Sequence, residues 1–238
     1  DRDISASATC FLFAQLLLKS RGENADYLAH MGTLGSIGDG FLVEGALSGV
    51  NREVMQIAVK NETMRVEKIE SGEEYFITIA GIEYPADDIC ISLDTLGGVG
   101  YYQNGTDLGI ALCQKGLTPD LEKIIHKLNK KKDDIFAGEI ETLKRKINTS
   151  ENLHWFDVKD RFKPMGVKMI GVFCNNIKDM DFLDKTKYLA GFQTVPNEVP
   201  GFGRIDFNST KISMRVSRFL TDKIREGTAP GLSSFLPQ

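Results

Sequence analysis

Apolar residues recur along the first third of the chain at spacings that helices use. Over residues 4–19, Phe11, Leu12, Leu16 and their neighbours are apolar on nearly every face, which predicts a buried helix capped by Asp3 or Ser5. Residues 24–33 predict a second buried helix, opened by Asn24. Gly35, Gly38, Gly40, Gly45 and Gly49 then make residues 34–50 read as a long loop, after which Asn51 caps a helix over 52–59. Residues 64–69 and 75–79 predict short strands around the Ser71-Gly72 turn. Pro85 suits the first position of a helix continuing over 87–96, and a short helix over 106–114 stops at Gly116.

The longest predicted element is a helix over 118–148. Pro119 suits its first turn, and Leu121, Ile124, Ile125, Leu128, Ile135, Ile140, Leu143 and Ile147 mark one apolar stripe. Lys130-Lys131-Lys132 followed by Asp133-Asp134 reads as a solvated face of that helix. Beyond it the pattern changes to a strand over 153–158, a helix over 165–175, strands over 187–192, 204–206 and 211–216, and a helix over 220–225. The fold class is therefore α/β in the broad sense and α+β within this chain. Residues 1–116, a linker helix over 117–150 and a small α+β domain over 151–238 are the expected parts. On strand 211–216, Ile212, Met214 and Val216 should face the core, while Lys211, Ser213 and Arg215 face a cleft or solvent.

Composition narrows the function classes. At 42% hydrophobic and 26% charged residues, the chain is that of an ordinary globular protein, and a net charge of −4 weighs against non-specific coating of nucleic acid. Cys10, Cys90, Cys113 and Cys174 are far apart with no Cys-x-x-Cys, which points to buried free thiols in a reducing cytoplasm rather than a zinc site or disulfide framework. The apolar run at 8–18 is too short to span a bilayer and lacks the flanks of a secretory signal, so no membrane association is expected.

Asp39 is the best single candidate for chemistry. It stands in Gly35-Ser-Ile-Gly-Asp39-Gly40, where flanking glycines can expose a carboxylate at the tip of an element as a hard ligand for a divalent cation. An Asp-Gly turn explains the same residues without chemistry. His30, His126 and His154 have no second ligand at metal spacing and read as structure or surface, and Trp155 reads as core. Arg52 could approach a substrate or simply belong to a helix's first turn. No Ser or Cys stands with a base that would support acyl transfer.

A family resemblance adds to this. Ala29-His-Met-Gly-Thr-Leu-Gly-Ser-Ile-Gly-Asp39-Gly followed by Ser48-Gly-Val-Asn51-Arg52 resembles a motif of the DHH phosphoesterases, whose aspartate ligates metal. Asp3-Ile-Ser-Ala-Ser resembles the helix entry after that family's Asp-His-His. Leu96-Gly-Gly-Val-Gly-Tyr-Tyr-Gln-Asn-Gly and Gly116-Leu-Thr-Pro119 are similar to segments of archaeal RecJ-like proteins. Phe156-Asp-Val-Lys-Asp-Arg-Phe and Thr210-Lys-Ile-Ser213-Met-Arg215 resemble parts of a DHHA1 domain, whose arginine contacts substrate.

The resemblance implies a DHH remnant over 1–116 and an incomplete DHHA1-like substrate-binding domain over 151–238. It implies a phosphodiesterase, dependent on manganese or magnesium, acting on single-stranded nucleic acid or short oligonucleotides held between the two domains. Asp39 would be the catalytic metal ligand, and Arg215 with Ser213 would bind substrate. The family's Asp-x-Asp, Asp-His-His and Gly-Gly-Gly-His motifs are missing; the first two are expected upstream of Asp1 and the last beyond Gln238. The chain alone is thus expected to be inactive. Two alternatives stay open: a catalytically inactive RecJ-like scaffold contacting replication proteins such as the GINS assembly, or a small-substrate phosphatase of the same family.

Overall fold

The computed structural model describes residues 4–206 and 208–235. Asp3, the alternative first cap, lies outside the described residues, as do Asp1, Arg2, Pro237 and Gln238. The fold is α+β. Two compact units divide the chain: Asp1–Asp94 with Asp107–Lys123, and Thr95–Thr106 with Ile124–Gln238. Residues 95–106 thus join the second unit, and the helix expected as a linker is divided, its first turn belonging to the first unit.

In the first unit, Ser5 caps α1 (Ala6–Lys19) by accepting a hydrogen bond from the Ala8 amide. A 3-10 turn over Asp26–Leu28 leads into α2 (Ala29–Gly38). A hairpin of β1 (Leu42–Val43) and β2 (Ala46–Leu47) precedes α3 (Gly49–Lys60). Then β3 (Met64–Ile69), β4 (Gly72–Ile79) and β5 (Ile82–Pro85) form an antiparallel meander in that order, and α4 (Ala86–Asp94) follows. Pro85 ends a strand instead of opening the helix.

The expected loop over 34–50 is not a loop, because glycine here serves packing. Helix α2 runs on to Gly38 and packs against α1, α3 and α4. A Cβ on Gly32 would lie 2.9 Å from Phe11 Cβ, and one on Gly35 would lie 2.4 Å from Ser7 Cβ. Without side chains at these positions α1 and α2 approach closely, and the burial gained outweighs the propensity cost of about 1 kcal/mol per glycine. Asn51 is likewise not a cap. It is buried inside α3, and its Oδ1 accepts from the Ser5 amide at 3.0 Å and from Ser36 Oγ at 3.2 Å. Ser48 takes the cap position.

Helix α1 is also less buried than its sequence predicts. Ala8 and Phe11 are buried, whereas Phe13 and Leu16 are 67% and 70% exposed. Close packing on α2 uses one face, and the apolar residues of the opposite face lie open.

In the second unit, residues 95–99 form a π-helical turn and Tyr101–Gln103 a 3-10 turn. Helix α5 (Gly105–Lys115) and helix α6 (Pro119–Arg145) follow, both shared with the first unit. Of the predicted α6 stripe, Leu121, Ile125, Leu128 and Leu143 are buried, with Phe136 replacing Ile135. A four-stranded sheet has the order β11-β8-β7-β6, from β6 (Asn148–Thr149), β7 (Leu153–Asp157), β8 (Tyr188–Val195) and β11 (Ser209–Arg215). Strands β7 and β8 pair in parallel, joined through α7 (Met169–Ile177), and the other neighbours are antiparallel. A small hairpin, β9 (Glu198–Val199) with β10 (Gly203–Arg204), and helix α8 (Arg218–Arg225) complete it.

The core beneath α7 is aromatic: the Phe173 ring meets Phe136, Phe156 and Phe162 edge-on at 4.9–5.6 Å. Trp155, placed in the core from sequence, is instead 39% exposed, because alternation along β7 sends its neighbours His154 and Phe156 inward. Among the described residues no helix is long and apolar enough to cross a membrane.

Candidate functional site

Asp39 follows the last residue of α2, and its amide bonds back to Gly35 O at 3.0 Å. Gly40 takes φ 73°, the left-handed conformation that lets the chain leave the helix. The segment is therefore a helix-ending turn. The Asp39 side chain is nonetheless exposed and lines a cavity of about 270 Å³ within the first unit. Leu34, Leu93, Cys90, Cys113 and Asp94 share that lining. The cavity is mostly apolar, not the polar recess expected around a metal ligand.

Its electrostatics favour a cation. The carbonyl end of α2 carries partial negative charge, and Asp39 adds a full one. Burial, and then the carboxylates of Asp87, Asp94 and Asp39, push the Cys90 thiol up to about 12. Burial also raises Cys113. Both thiols stay protonated at neutral pH and are poor nucleophiles or ligands. No group of three or more His, Cys, Asp and Glu among the described residues could hold a metal. Asp39 and Asp94 are too few donors for the hexacoordinate oxygen shell of manganese or magnesium, so the described residues do not by themselves fit the two-cation site the resemblance implies.

The elements around Asp39 are held by two polar clusters. In the first, Ser5 Oγ meets Ser36 Oγ at 2.7 Å and Ser7 Oγ at 2.9 Å, joining the starts of α1 and α3 to the last turn of α2 together with Asn51. In the second, Arg52 grips the Glu73 carboxylate with Nη1 at 3.0 Å and Nη2 at 2.9 Å, and Nη1 also donates to Leu47 O. Tyr75 donates to Glu73 at 2.7 Å and accepts from the Leu47 amide. Arg52 is thus committed to a structural clasp on β2 and β4. Glu73 was not singled out from sequence, since nothing in a run of two glutamates marks which one is buried.

Ser213 and Arg215 lie in the second unit, and their placement reverses the expected faces of β11. Ser213 is 8% exposed and Arg215 half-buried, while Ile212 is 53% exposed. The polar face is the one that α7 covers. Gly171, in the first turn of α7, makes room: a Cβ there would come within 3.2 Å of both Arg215 Nη2 and Ser213 Oγ. Gly191, opposite Ser213 in the register, is crowded more tightly, since a Cβ there would lie 2.6 Å from Cys174 Sγ and 2.9 Å from Ile170 Cδ1. Arg215 Nη1 donates to Ser213 Oγ at 3.1 Å and to Met214 O at 2.8 Å. The pair thus sits beside the N-terminal turn of α7, where partial positive charge adds to the guanidinium. Gly171 was missed from sequence because its function depends on a contact between distant segments.

The remaining candidates are structural. His154 is buried, bonded through Nδ1 to Thr149 Oγ1 and accepting the Asp184 amide at Nε2, and burial holds its pKa below the usual value. Burial also lowers the His30 pKa. The cysteines are free, but only Cys174 is buried; Cys10 is exposed, and Cys90 and Cys113 are partly so, lining the Asp39 cavity. No protein-family model matches the chain, and no curated protein matches it.

Proposed function

We propose that the chain belongs to a RecJ-like phosphodiesterase of the DHH type and that its second unit binds the phosphate of single-stranded nucleic acid or a short oligonucleotide. The observation that carries this reading is the Ser213–Arg215 pair, packed beside the first turn of α7 against Gly171. A guanidinium and a hydroxyl are donors that phosphate oxygens need, and the N-terminal end of α7 adds partial positive charge beside them. Asp39, at the negative end of α2, is the residue this reading assigns to a divalent cation, manganese by resemblance. Its donor set is incomplete among the described residues, so no hydrolytic step is assigned to them. What they do in this proposal is bind and orient substrate.

The test is binding of a 5′-phosphorylated dinucleotide to the 238-residue chain, followed by calorimetry. Arg215→Ala should weaken it by about 1–3 kcal/mol, the scale of a charge-assisted hydrogen bond, and Arg215→Lys by less. Unchanged affinity in Arg215→Ala would remove the basis of the proposal. The inactive-scaffold reading predicts no phosphate binding at Arg215.

A further inference from the structure

A second cavity in the second unit, of about 280 Å³, is lined by Tyr102, Lys163, Pro196, Glu198 and Pro200. Its walls come from three segments, two of which are bonded to each other. The Tyr102 wall is tied to the Lys163 wall by Gln103 Nε2 donating to Pro164 O at 3.1 Å and by the Gly166 amide donating to Gly98 O at 2.8 Å. Backbone packs on backbone there: a Cβ on Gly166 would lie 2.9 Å from Gly98 O, and one on Gly105 would meet Leu96 O. The third wall is the β9–β10 hairpin and the residues leading into it. The Tyr102 ring is half-buried and braced edge-on by Tyr101 at 5.0 Å. Burial, with Tyr101 and Glu198 nearby, raises its phenol pKa, so the hydroxyl stays protonated.

At the turn of the same hairpin, Phe202 is 88% exposed. Gly201 and Gly203 on either side take φ 80° and 82°, and the Phe202 amide donates to Val199 O at 3.0 Å. This tight turn holds the ring outward, where it has nothing to pack on within the hairpin. Arg204 stands opposite Glu198 in the register.

We propose that Tyr102, Lys163, Glu198 and the two prolines form a subsite for one base of a single-stranded nucleic acid, and that Phe202 stacks the neighbouring base. A braced aromatic face and proline rings offer stacking surfaces, which every base can use. Glu198 accepts from an exocyclic amino group, which cytosine and adenine have and thymine lacks. Lys163 and Arg204 are cations for the flanking phosphates. This inference rests on the nucleic-acid reading above and adds to it a site for bases distinct from the phosphate donors Ser213 and Arg215.

The test measures fluorescence anisotropy of labelled hexanucleotides, (dC)6 and (dT)6, on the 238-residue chain. The variants are Tyr102→Leu, Tyr102→Phe, Glu198→Ala, Phe202→Ala and Arg215→Ala, each checked by circular dichroism. Tyr102→Leu and Phe202→Ala should each weaken (dC)6 by about tenfold, the usual scale for losing one stacked base. Tyr102→Phe should retain binding, which separates loss of stacking from loss of fold. Glu198→Ala should erase a preference for (dC)6 over (dT)6. Binding that depends on Arg215 but not on Tyr102 or Phe202 overturns the base subsite and leaves the phosphate reading standing. Dependence on Tyr102 without Arg215 does the reverse, and no binding of either oligonucleotide by the unaltered chain overturns the subsite.

Discussion

Glu73→Gln is the change that most directly tests how the Asp39 region is held. The Glu73 side chain is 8% exposed and accepts two guanidinium bonds from Arg52 and one from Tyr75. The amide keeps the shape but has one acceptor oxygen, and its NH2 group faces a guanidinium donor. Hydrogen bonds to charged groups contribute about 1.5–3 kcal/mol each when a buried partner loses them. Arg52 is 37% exposed and rehydrates, so the ion pair itself is discounted toward the surface value of about 0–1 kcal/mol. The expected net loss is about 2 kcal/mol, read by urea unfolding at pH 7. The pH dependence gives a second check. Arg52 first, then the Tyr75 hydroxyl, hold the Glu73 pKa below its usual 4.5. A carboxyl depressed in the folded state adds stability that is present above the unfolded value and lost as pH falls through the folded one. The difference between native protein and Glu73→Gln should therefore be constant from pH 7 down to about 5 and shrink below 4.5. A loss under about 0.5 kcal/mol, or a difference that persists at low pH, would show that the clasp behaves as an ordinary surface pair.

Gly35→Ala should cost about 1–3 kcal/mol in the same unfolding experiment, because its methyl would fall 2.4 Å from Ser7 Cβ; a neutral result would mean that α1 and α2 slide apart freely. Asp39→Asn, at an exposed turn, should change stability by no more than about 0.5 kcal/mol. In a chain that carries the complete metal site the same substitution should abolish manganese-dependent release of nucleotides, and retained turnover would restore the plain turn reading.

The sequence determined the elements and, through them, the class. Helical spacing marked α1, α3 and α6 to within a few residues, and β-branched and aromatic runs marked β3, β4, β7, β8 and β11. Local features suffice for this because period and capping are properties of neighbouring residues. The ambiguity at Asp39 was legible too, since Asp-Gly both ends a helix and exposes a carboxylate.

What the sequence could not supply was decided by contacts between distant segments. Glycines 32 and 35 look like loop residues until Phe11 and Ser7 are brought against them. Asn51 reads as a cap until Ser5 and Ser36 arrive to share its side chain. Alternation on β11 correctly sorted Ser213 and Arg215 from Ile212 and Met214, yet it could not say which face α7 would cover. Gly171 and Gly191 decided that, by leaving room for a helix to close over the polar side. Periodicity separates two faces of an element; only the packing partner determines which of them is inside.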